Sequence, residues 1–525
     1  MILAIIFLVI FAVLVGVNMY FMVSLVKSPM IEIDFAKHFK KNAIFVGGAI
    51  ISFLVASFGF YQWLNASPDA LHIVELVIGE ILFIGGLLVA INCFIVHYYG
   101  KNIPEKLDKW LFRIQLIGYI VAAFSFFIYT NGLAPYLSYP LSNGLCFGIK
   151  EGTKFGFVTP ESGTPNLAFY ALCILSGAIL VYFVCDHYMY KEYGRHGTLE
   201  STFFVAFPAG IIGARIWYVV GNWSKEFANE EFWHVFAIWE GGLTILGGAI
   251  MGIVVGVLFF IWRNKKLSIW FAVDMIVPTI LIAQAVGRWG NFFNCEVHGL
   301  VDTVDHWKWL PEIIWRNAQY SSTGLDLRGT DQLYVPLFFI ECVSNLLGYF
   351  ILAHVFGKAL GKYHEPGDLA FGYVIWYGLT RVLMEPLRSA DYQMGDDGYW
   401  SWVWSMVFVL AGTLLIVLNH IVRNIIKKKK NTFEVQPYDT KLGSISSLII
   451  LVFGGALTGV GIYLMTSNNF EKVVKYNGFN IGLIILVLGV SVLLTLAISL
   501  PILFESFKNT PKEQEVVKEN SDENL

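Results

Sequence analysis

The feature that most constrains the fold of this chain is a succession of thirteen long apolar stretches. A helix needs roughly 20 mostly apolar residues to cross the hydrocarbon core of a bilayer. The stretches lie at about 2–26, 43–64, 72–98, 111–130, 167–187, 199–221, 241–262, 269–292, 335–357, 369–387, 401–422, 445–466 and 481–504. We therefore predict an all-α, polytopic integral membrane protein with about thirteen transmembrane helices.

Charged residues are too few for a soluble protein of this size. They make up 14% of the 525 residues, whereas soluble domains average about 25%. This excludes an ordinary soluble enzyme, a disordered chain and a nucleic-acid-binding domain. We expect membrane lipid, and no nucleic acid, among the partners.

The distribution of basic residues predicts the orientation in the membrane. Of the 36 Lys and Arg residues, 24 lie in the C-terminal tail and in alternate segments between the stretches, and 8 lie in the opposite segments. Basic residues are enriched on the cytoplasmic side of membrane proteins. We therefore predict that the N-terminus is outside and the C-terminus is cytoplasmic.

Four arginines fall within or at the ends of predicted spans. They are Arg215, Arg288, Arg381 and Arg388. An Arg at the centre of a membrane helix costs roughly 2.5–3.5 kcal/mol on insertion scales, so it is a candidate functional residue. The planar guanidinium suits bidentate binding of phosphate. The alternative is that each Arg pairs with an intramembrane acid, such as Glu240, Asp274, Glu296, Glu341 or Glu385.

The string GRWGNFFNCEVHG, residues 287–299, lies at the outer end of a predicted span. Arg288 and Asn291 are three residues apart, so they share a helix face. Asn294 and Glu296 follow where the helix should end. An arginine, two amides and a carboxylate at the membrane boundary would suit a lipid headgroup.

A second polar group lies near the end of another predicted span. Tyr377, Arg381, Glu385 and Arg388 follow one another at helical spacing, which predicts one stripe on a helix. Pro386 interrupts the backbone hydrogen bonds there, so the position of Arg388 relative to Arg381 stays open. The alternative is a buried ion-pair stripe that joins helices.

Two earlier spans carry further polar and small residues. Glu240, in WEGGL, lies at the outer boundary of a span, and Arg215, in GARIWY, lies on the preceding span. Gly248, Gly252 and Gly256 recur every four residues, which predicts a close-packing helix face.

The external stretch after residue 294 contains one candidate metal cluster. Its members are Cys295, His298, Asp302, Asp305 and His306. Their spacing fits no familiar zinc pattern, so we predict no metal.

The character of the loops divides the chain into five parts. Residues 1–130 form a four-helix membrane extension, 131–166 an external loop, and 167–423 seven spans with all four membrane arginines. Residues 424–504 add a basic cytoplasmic loop and two further spans. Residues 505–525 are a charged tail that we predict to be disordered and cytoplasmic.

Several ordered motifs resemble those of the bacterial prolipoprotein diacylglyceryl transferase family. GRWGNFFNCEVHG is similar to the signature of that family, and VDMIVPTILIAQAVGRWGN to its fourth helix. The other similar strings are GARIWYV, WEGGLTILGG, PLFFIECVSNLLGY and GYVIWYGLTRVLMEPLR. The resemblance covers about residues 167–423, a seven-helix transferase core.

The resemblance implies a reaction. The diacylglyceryl group of phosphatidylglycerol would move to the thiol of the lipobox cysteine of a preprolipoprotein. A thioether would form and glycerol phosphate would leave, as the first step of bacterial lipoprotein maturation. The resemblance places this step at the outer leaflet of the cytoplasmic membrane and implies no cofactor. The implied partners are phosphatidylglycerol and preprolipoprotein signal peptides.

The resemblance and the residue patterns together predict two sets of site residues. The catalytic set is Arg288, Arg381, Tyr377, Glu296 and Asn294. The phosphatidylglycerol-binding set is Arg288, Asn291, Arg215, Glu240, Glu385 and Arg388. Arg288 corresponds to the family position that is described as binding phosphatidylglycerol.

The sequence departs from the family at a possible proton acceptor. Many members have a His where Leu246 stands, and Leu cannot accept a proton. Glu296, Glu240 and His298 are the other candidate bases, and a thiol pKa lowered by arginine is the alternative. Leu246 also suggests a non-catalytic relative, and the number of spans suggests a lipid transporter or flippase.

Overall fold

The computed structural model describes residues 2–501 apart from several internal positions. These are 27–34, 64–69, 101–102, 134–145, 151–153, 159–166, 195–196, 198, 224–226, 229–231, 237–241, 243, 265–266, 322–323, 358–363, 390–398, 431–438, 467–474 and 477–478. The predicted tail at 505–525 and much of the predicted external loop at 131–166 therefore lie outside the described residues.

Helices account for most of the described chain. In chain order they are α1 (Ile2–Leu25), α2 (Phe35–Trp63), α3 (Ala70–Tyr99), α4 (Glu105–Leu133), α5 (Phe169–Tyr193), α6 (Glu200–Asn222), α7 (Ile245–Arg263), α8 (Ile269–Asn294), α9 (Glu312–Asn317), α10 (Leu337–Phe350), α11 (Asp368–Met384), α12 (Tyr399–Lys429), α13 (Asp439–Thr466) and α14 (Ile481–Leu494). A π-helical turn, Ile351–Phe356, continues α10.

The strands are short and antiparallel. They are β1 (Cys146–Lys150), β2 (Lys154–Val158), β3 (Leu167–Ala168), β4 (Val301–Thr303), β5 (Gln332–Tyr334), β6 (Lys475–Tyr476) and β7 (Phe479–Asn480). β1 pairs with both β2 and β3, β4 pairs with β5, and β6 pairs with β7.

Helix length and composition confirm an all-α, polytopic membrane protein. In the part of the chain that the structure describes, 11 helices are long and apolar enough to cross a membrane. The predicted spans at 241–262 and 369–387 form the shorter helices α7, with 19 residues, and α11, with 17 residues. A helix of 17 residues is at the lower limit for a spanning segment.

The chain forms two compact units. The first contains Met1–Ser142 together with Val301–Tyr334, and the second contains Asn143–Leu300 together with Val335–Leu525. Every predicted site residue belongs to the second unit. The segment Val301–Tyr334 lies between two helices of the second unit in sequence but clusters with the first.

Small residues let the helices of the second unit approach closely. A side chain at Gly248 would lie 3.3 Å from Ala214 on α6, and one at Gly256 would lie 3.1 Å from Ala206. Gly252 of α7 faces Gly210 of α6. The predicted close-packing face of α7 is therefore confirmed, and its partner is the Ala206–Ala214 face of α6.

A buried acid fixes the end of α11 that is remote from the arginines. Asp274 of α8 accepts hydrogen bonds from the backbone N–H groups of Gly367, at 2.7 Å, and Ala370, at 3.0 Å. The first amides of a helix have no partner within the helix, and a carboxylate there is stabilised by the helix dipole. Asp274 therefore ties α11 to α8, the two helices that carry most of the predicted site.

Candidate functional site

The signature string folds into the end of α8 and a strained turn. The helix ends at Asn294, where the sequence predicts its end. Cys295 has φ 49° and Val297 has φ 55°, a left-handed conformation that costs a residue other than glycine about 1–3 kcal/mol. Such strain is unusual for a β-branched residue. It orients Glu296, which lies between these two residues.

A chain of hydrogen bonds joins four predicted site residues at this end of α8. An Nη1–H of Arg288 donates to Oδ1 of Asn291 over 3.2 Å. The amide groups of Asn291 and Asn294 donate to Oε1 of Glu296 over 3.0 Å and 3.2 Å. Glu296 is therefore held as an acceptor by two amides, and one of these amides also holds Arg288.

A buried carboxylate joins the arginines of the two predicted groups. Glu341 of α10 forms an ion pair with Nε of Arg288 through one oxygen, and its other oxygen lies 3.2 Å from Nη1 of Arg381. Glu341 is only 5% exposed. Two positive charges therefore share one negative charge in a region of low dielectric constant, where electrostatic interactions are stronger than in water.

A small cavity lies beside this ion-pair trio. Its lining residues are Gln284, Arg288, Glu341, Asn345, Tyr377, Thr380, Arg381 and Met384. The guanidinium carbon of Arg381 lies 5.9 Å from the centre of the Tyr377 ring, within cation–π range. The structure thus brings Tyr377, Arg381 and Arg288 to one cavity.

The predicted helical stripe breaks at Pro386. Helix α11 ends at Met384, a 3-10 turn follows at Glu385–Leu387, and Arg388 is extended. Nη1 of Arg388 lies 3.7 Å from Oε2 of the buried Glu385. Arg388 also forms an isolated antiparallel β-bridge with Gly299, which follows the end of α8. Arg388 therefore approaches the site from the turn and not from the helix.

Arg215 has a different environment. Its guanidinium donates to the backbone carbonyls of Val235, at 2.9 Å, Gly242, at 3.3 Å, and His234. These carbonyls belong to the segment between α6 and α7. The described contacts of Arg215 thus hold this segment and do not join it to the ion-pair trio around Glu341.

The structure describes two of the three candidate bases, His298 and Glu296. Glu240 and the side chain of Leu246 lie outside the described residues. His298 is buried, and its Nδ1 lies 3.4 Å from the carbonyl oxygen of Gly299. Glu296 is the candidate base that the structure connects to an arginine of the cavity.

Two acidic residues of the candidate metal cluster pair with neighbouring basic side chains. Nδ1 of His306 lies 2.9 Å from Oδ1 of Asp302, and Lys308 lies 2.6 Å from Asp305. Among the residues that the structure describes, no three His, Cys, Asp or Glu side chains converge as metal ligands.

The sequence patterns predict Glu341 only as a possible ion-pair partner of a membrane arginine and not as a site residue. Gln284, Asn345 and Thr380 were not named. Gln284 lies four residues before Arg288, and Thr380 lies three residues after Tyr377, so helical spacing from a predicted site residue is the available signal. Glu341 could have been recognised from its position alone, because an acidic residue within a membrane span is costly and is a candidate functional residue.

Comparison with known proteins places these motifs in a family. The sequence model of the family "Prolipoprotein diacylglyceryl transferase" matches residues 161–418. A Malacoplasma penetrans (strain HF-2) protein named phosphatidylglycerol–prolipoprotein diacylglyceryl transferase is 36% identical over 241 residues, which cover 42% of this chain. The match spans 64% of that relative, slightly less than two thirds of its length.

Two streptococcal proteins of the same name are matched over more of their length. The Streptococcus suis (strain 05ZYH33) protein is 32% identical over 262 residues, covering 49% of this chain and 89% of the relative. The Streptococcus pneumoniae (strain ATCC 700669 / Spain 23F-1) protein is 34% identical over 264 residues, covering 49% and 91%. The chain therefore belongs to the prolipoprotein diacylglyceryl transferase family.

Proposed function

We propose that the chain transfers the diacylglyceryl group of phosphatidylglycerol to the lipobox cysteine of preprolipoproteins. The relatives are named for phosphatidylglycerol and prolipoprotein. The observation that carries the proposal is the pair Arg288 and Arg381, which share Glu341 at a cavity. A guanidinium group held in a fixed orientation can donate two parallel hydrogen bonds to two oxygens of one phosphate.

The charges of the site suit a phosphodiester. Within the ion-pair trio, Arg288 and Arg381 exceed the charge of Glu341 by one unit. Arg388 and Glu385 form a balanced pair, and in the described contacts the carboxylate of Glu296 reaches Arg288 only through Asn291. The phosphodiester of phosphatidylglycerol carries one negative charge, which compensates this excess. Binding the headgroup would therefore balance the charge of the ion-pair trio itself, whose carboxylate is buried, and an unbalanced buried charge is costly.

The same arginines stabilise the leaving group. The cysteine sulfur forms a bond to the glycerol carbon of the diacylglyceryl group, and the bond from that carbon to the phosphate oxygen breaks. The electron pair stays on the phosphate, whose second negative charge develops against Arg288 and Arg381. Donors that already point at developing charge need no reorganisation during the reaction.

The proton of the thiol needs an acceptor. Glu296 is our candidate, because its carboxylate is bonded through Asn291 to Arg288. A base within hydrogen-bond reach raises the fraction of thiolate, which is the nucleophilic form. Tyr377 lines the cavity beside Arg381 and positions the phosphate together with it.

The proposed location is the bacterial cytoplasmic membrane, with the site toward the outer leaflet. The distribution of the 36 Lys and Arg residues supports this orientation, since it puts the end of α8 at Asn294 outside. The lipobox cysteine of an exported precursor would reach the same side.

The proposal is tested by reconstitution of the full chain in vesicles. The vesicles contain phosphatidylglycerol, and a lipobox peptide is added. We expect a peptide whose mass increases by one diacylglyceryl group, and none with a peptide in which Ser replaces the cysteine. A wild-type protein that gives no thioether, beside an active streptococcal relative, would support a transporter or a non-catalytic relative.

A further inference from the structure

The N-terminal helices and the segment Val301–Tyr334 form one compact unit although they are far apart in sequence. We call Val301–Tyr334 the outer insertion. It connects α8, which carries Arg288, to α10, which carries Glu341. The N-terminal helices lie outside the residues that match the family model, 161–418. The N-terminal helices therefore associate with a segment that lies, in sequence, within the family match.

The outer insertion contains several buried apolar residues. Its buried residues include Val304, Leu310, Ile314, Leu327 and Leu333. It contains no cysteine, so a disulfide cannot stabilise it. Segments shorter than about 40 residues rarely maintain a fold without a disulfide, a metal or a partner. The outer insertion therefore needs a partner surface.

The N-terminal helices provide polar contacts to its short helix α9. The backbone N–H of Glu312, the first residue of α9, donates to Oδ1 of Asn131 over 2.7 Å. Nε2 of His72 lies 3.5 Å from a carboxylate oxygen of Glu312, whose other oxygen pairs with Arg316. Asn131 thus caps a first-turn amide that a helix cannot satisfy itself.

The two residues that contact α9 are held by close packing of their helices. His72 is in the first turn of α3, and Asn131 is in the last turn of α4. A side chain at Gly132 would lie 2.3 Å from the backbone of Leu76, and one at Gly79 would lie 2.3 Å from that of Tyr129. Backbones this close permit little relative movement.

The ends of the outer insertion continue into the backbone near the site. The N–H of Val335 donates to the carbonyl of Leu300 over 2.9 Å, and the N–H of Leu300 donates to the carbonyl of Leu387 over 3.0 Å. Leu387 ends the 3-10 turn between Glu385 and Arg388. Leu300 and Val335, which flank the outer insertion in sequence, are therefore hydrogen-bonded to each other, and Leu300 is also hydrogen-bonded to this turn.

We propose that the N-terminal four-helix extension is an anchor for the outer insertion. Asn131 and His72 are its positioning residues, and α9 is the element that they hold. The role of this anchor in diacylglyceryl transfer rests on the proposed function, but the anchor itself does not. It can therefore be tested without any measurement of activity.

The contact is tested by cross-linking in the full chain. Cysteines replace Asn131 and Glu312 together, and a mild oxidant is added. We expect a linked peptide, detected by mass spectrometry, in Asn131→Cys/Glu312→Cys. The two single variants control for the six native cysteines. The pair Asn131→Cys/Leu325→Cys controls for random collision, since Leu325 is 72% exposed.

The anchoring effect is tested by hydrogen exchange. Asn131→Ala should speed amide exchange in the outer insertion about fivefold, the change expected for one lost hydrogen bond. The neighbouring variant Thr130→Ser should leave exchange unchanged, because Thr130 bonds within its own helix, to the carbonyl of Phe127. A folded double-cysteine variant without cross-link, or unchanged exchange in Asn131→Ala, would overturn the anchor.

Discussion

At the scale of single residues, Glu341 organises the site. It fixes the guanidinium groups of Arg288 and Arg381 through separate oxygens. Removing one partner of a buried ion pair costs more than the pair contributes, because a charge is left without compensation. Its place at the cavity supports our proposal that it orients both arginines toward the phosphate.

Replacing an arginine by lysine tests the need for this orientation. Arg288→Lys and Arg381→Lys should each lower kcat for transfer about 100-fold, since lysine keeps the charge but not the planar pair of donors. Arg263→Lys, on an exposed residue at the end of α7, is the matched control and should be silent. Full activity in both site variants would argue against bidentate binding.

The variant Glu341→Gln distinguishes the role of Glu341 in orienting Arg288 and Arg381 from the role of its negative charge. The site gains one unit of positive charge and loses part of its fixed geometry. We expect kcat to fall about tenfold while inhibition by glycerol phosphate becomes about tenfold stronger, because the extra charge binds the product anion more tightly. The control is Glu105→Gln, in an exposed pair with Lys109. An unchanged kcat together with unchanged inhibition by glycerol phosphate would contradict a role for Glu341 in the site.

Local spacing predicted some of the contacts in the candidate site. Arg288 and Asn291, at i and i+3, do lie on one face, and Glu296 follows the helix end as expected. Spacing could not show that Glu341, from another helix, joins two arginines, because this depends on tertiary packing. For the same reason it could not show that Arg215 contacts carbonyls of a neighbouring segment.

At the scale of elements, small residues decide how closely the helices pack. A side chain at Gly213 of α6 would lie 2.2 Å from Cβ of Met251 and 2.7 Å from the carbonyl oxygen of Gly247. The periodic glycines of α7 predicted such a face. The sequence did not reveal that α6 would be its partner, since several spans carry small residues.

Gly213 and Gly221, both on α6, allow a matched pair of glycine-to-alanine variants. Gly213→Ala should destabilise the protein by about 1–3 kcal/mol, because the new methyl group overlaps α7. Gly221→Ala meets nothing within 4 Å and should be neutral or slightly stabilising. Thermal unfolding in detergent measures both. A Gly213→Ala midpoint equal to that of Gly221→Ala would contradict the close contact.

The end of α11 shows what periodicity cannot predict. Pro386 signalled a break, and the structure has a 3-10 turn at Glu385–Leu387. The direction of the chain after the break depends on contacts with the strand-like residues near Gly299, which pairs with Arg388. Such long-range pairing leaves no periodic trace in the sequence.

At the scale of the whole molecule, the chain comprises a shared core and added helices. The family match at 161–418 supports the proposed core at 167–423. The C-terminal helix α14 adds Leu483, Ile484 and Val487 to a cluster formed by Val382, Trp402 and Met406. Val301–Tyr334 lies within both the family match and the proposed core in sequence, and it clusters with the N-terminal helices in the structure.

Truncation after Asn431 tests the autonomy of the core. The truncated protein should retain measurable transfer, because the described contacts of Arg288, Glu341 and Arg381 lie within the retained chain. Its thermal midpoint should fall by a few degrees, since the cluster around Trp402 loses its α14 partners. A folded truncated protein without activity would show that the added helices belong to the reaction.

The central claim is that Arg288 and Arg381 hold the phosphate that leaves when the thioether forms. Its most direct test counts both products in one turnover, in phosphatidylglycerol vesicles with excess enzyme and limiting lipobox peptide. We expect equal amounts of glycerol phosphate and thioether peptide from the wild type, and the loss of both in Arg288→Lys/Arg381→Lys. Thioether at the wild-type rate from the double variant, or release of glycerol phosphate without thioether, would contradict it.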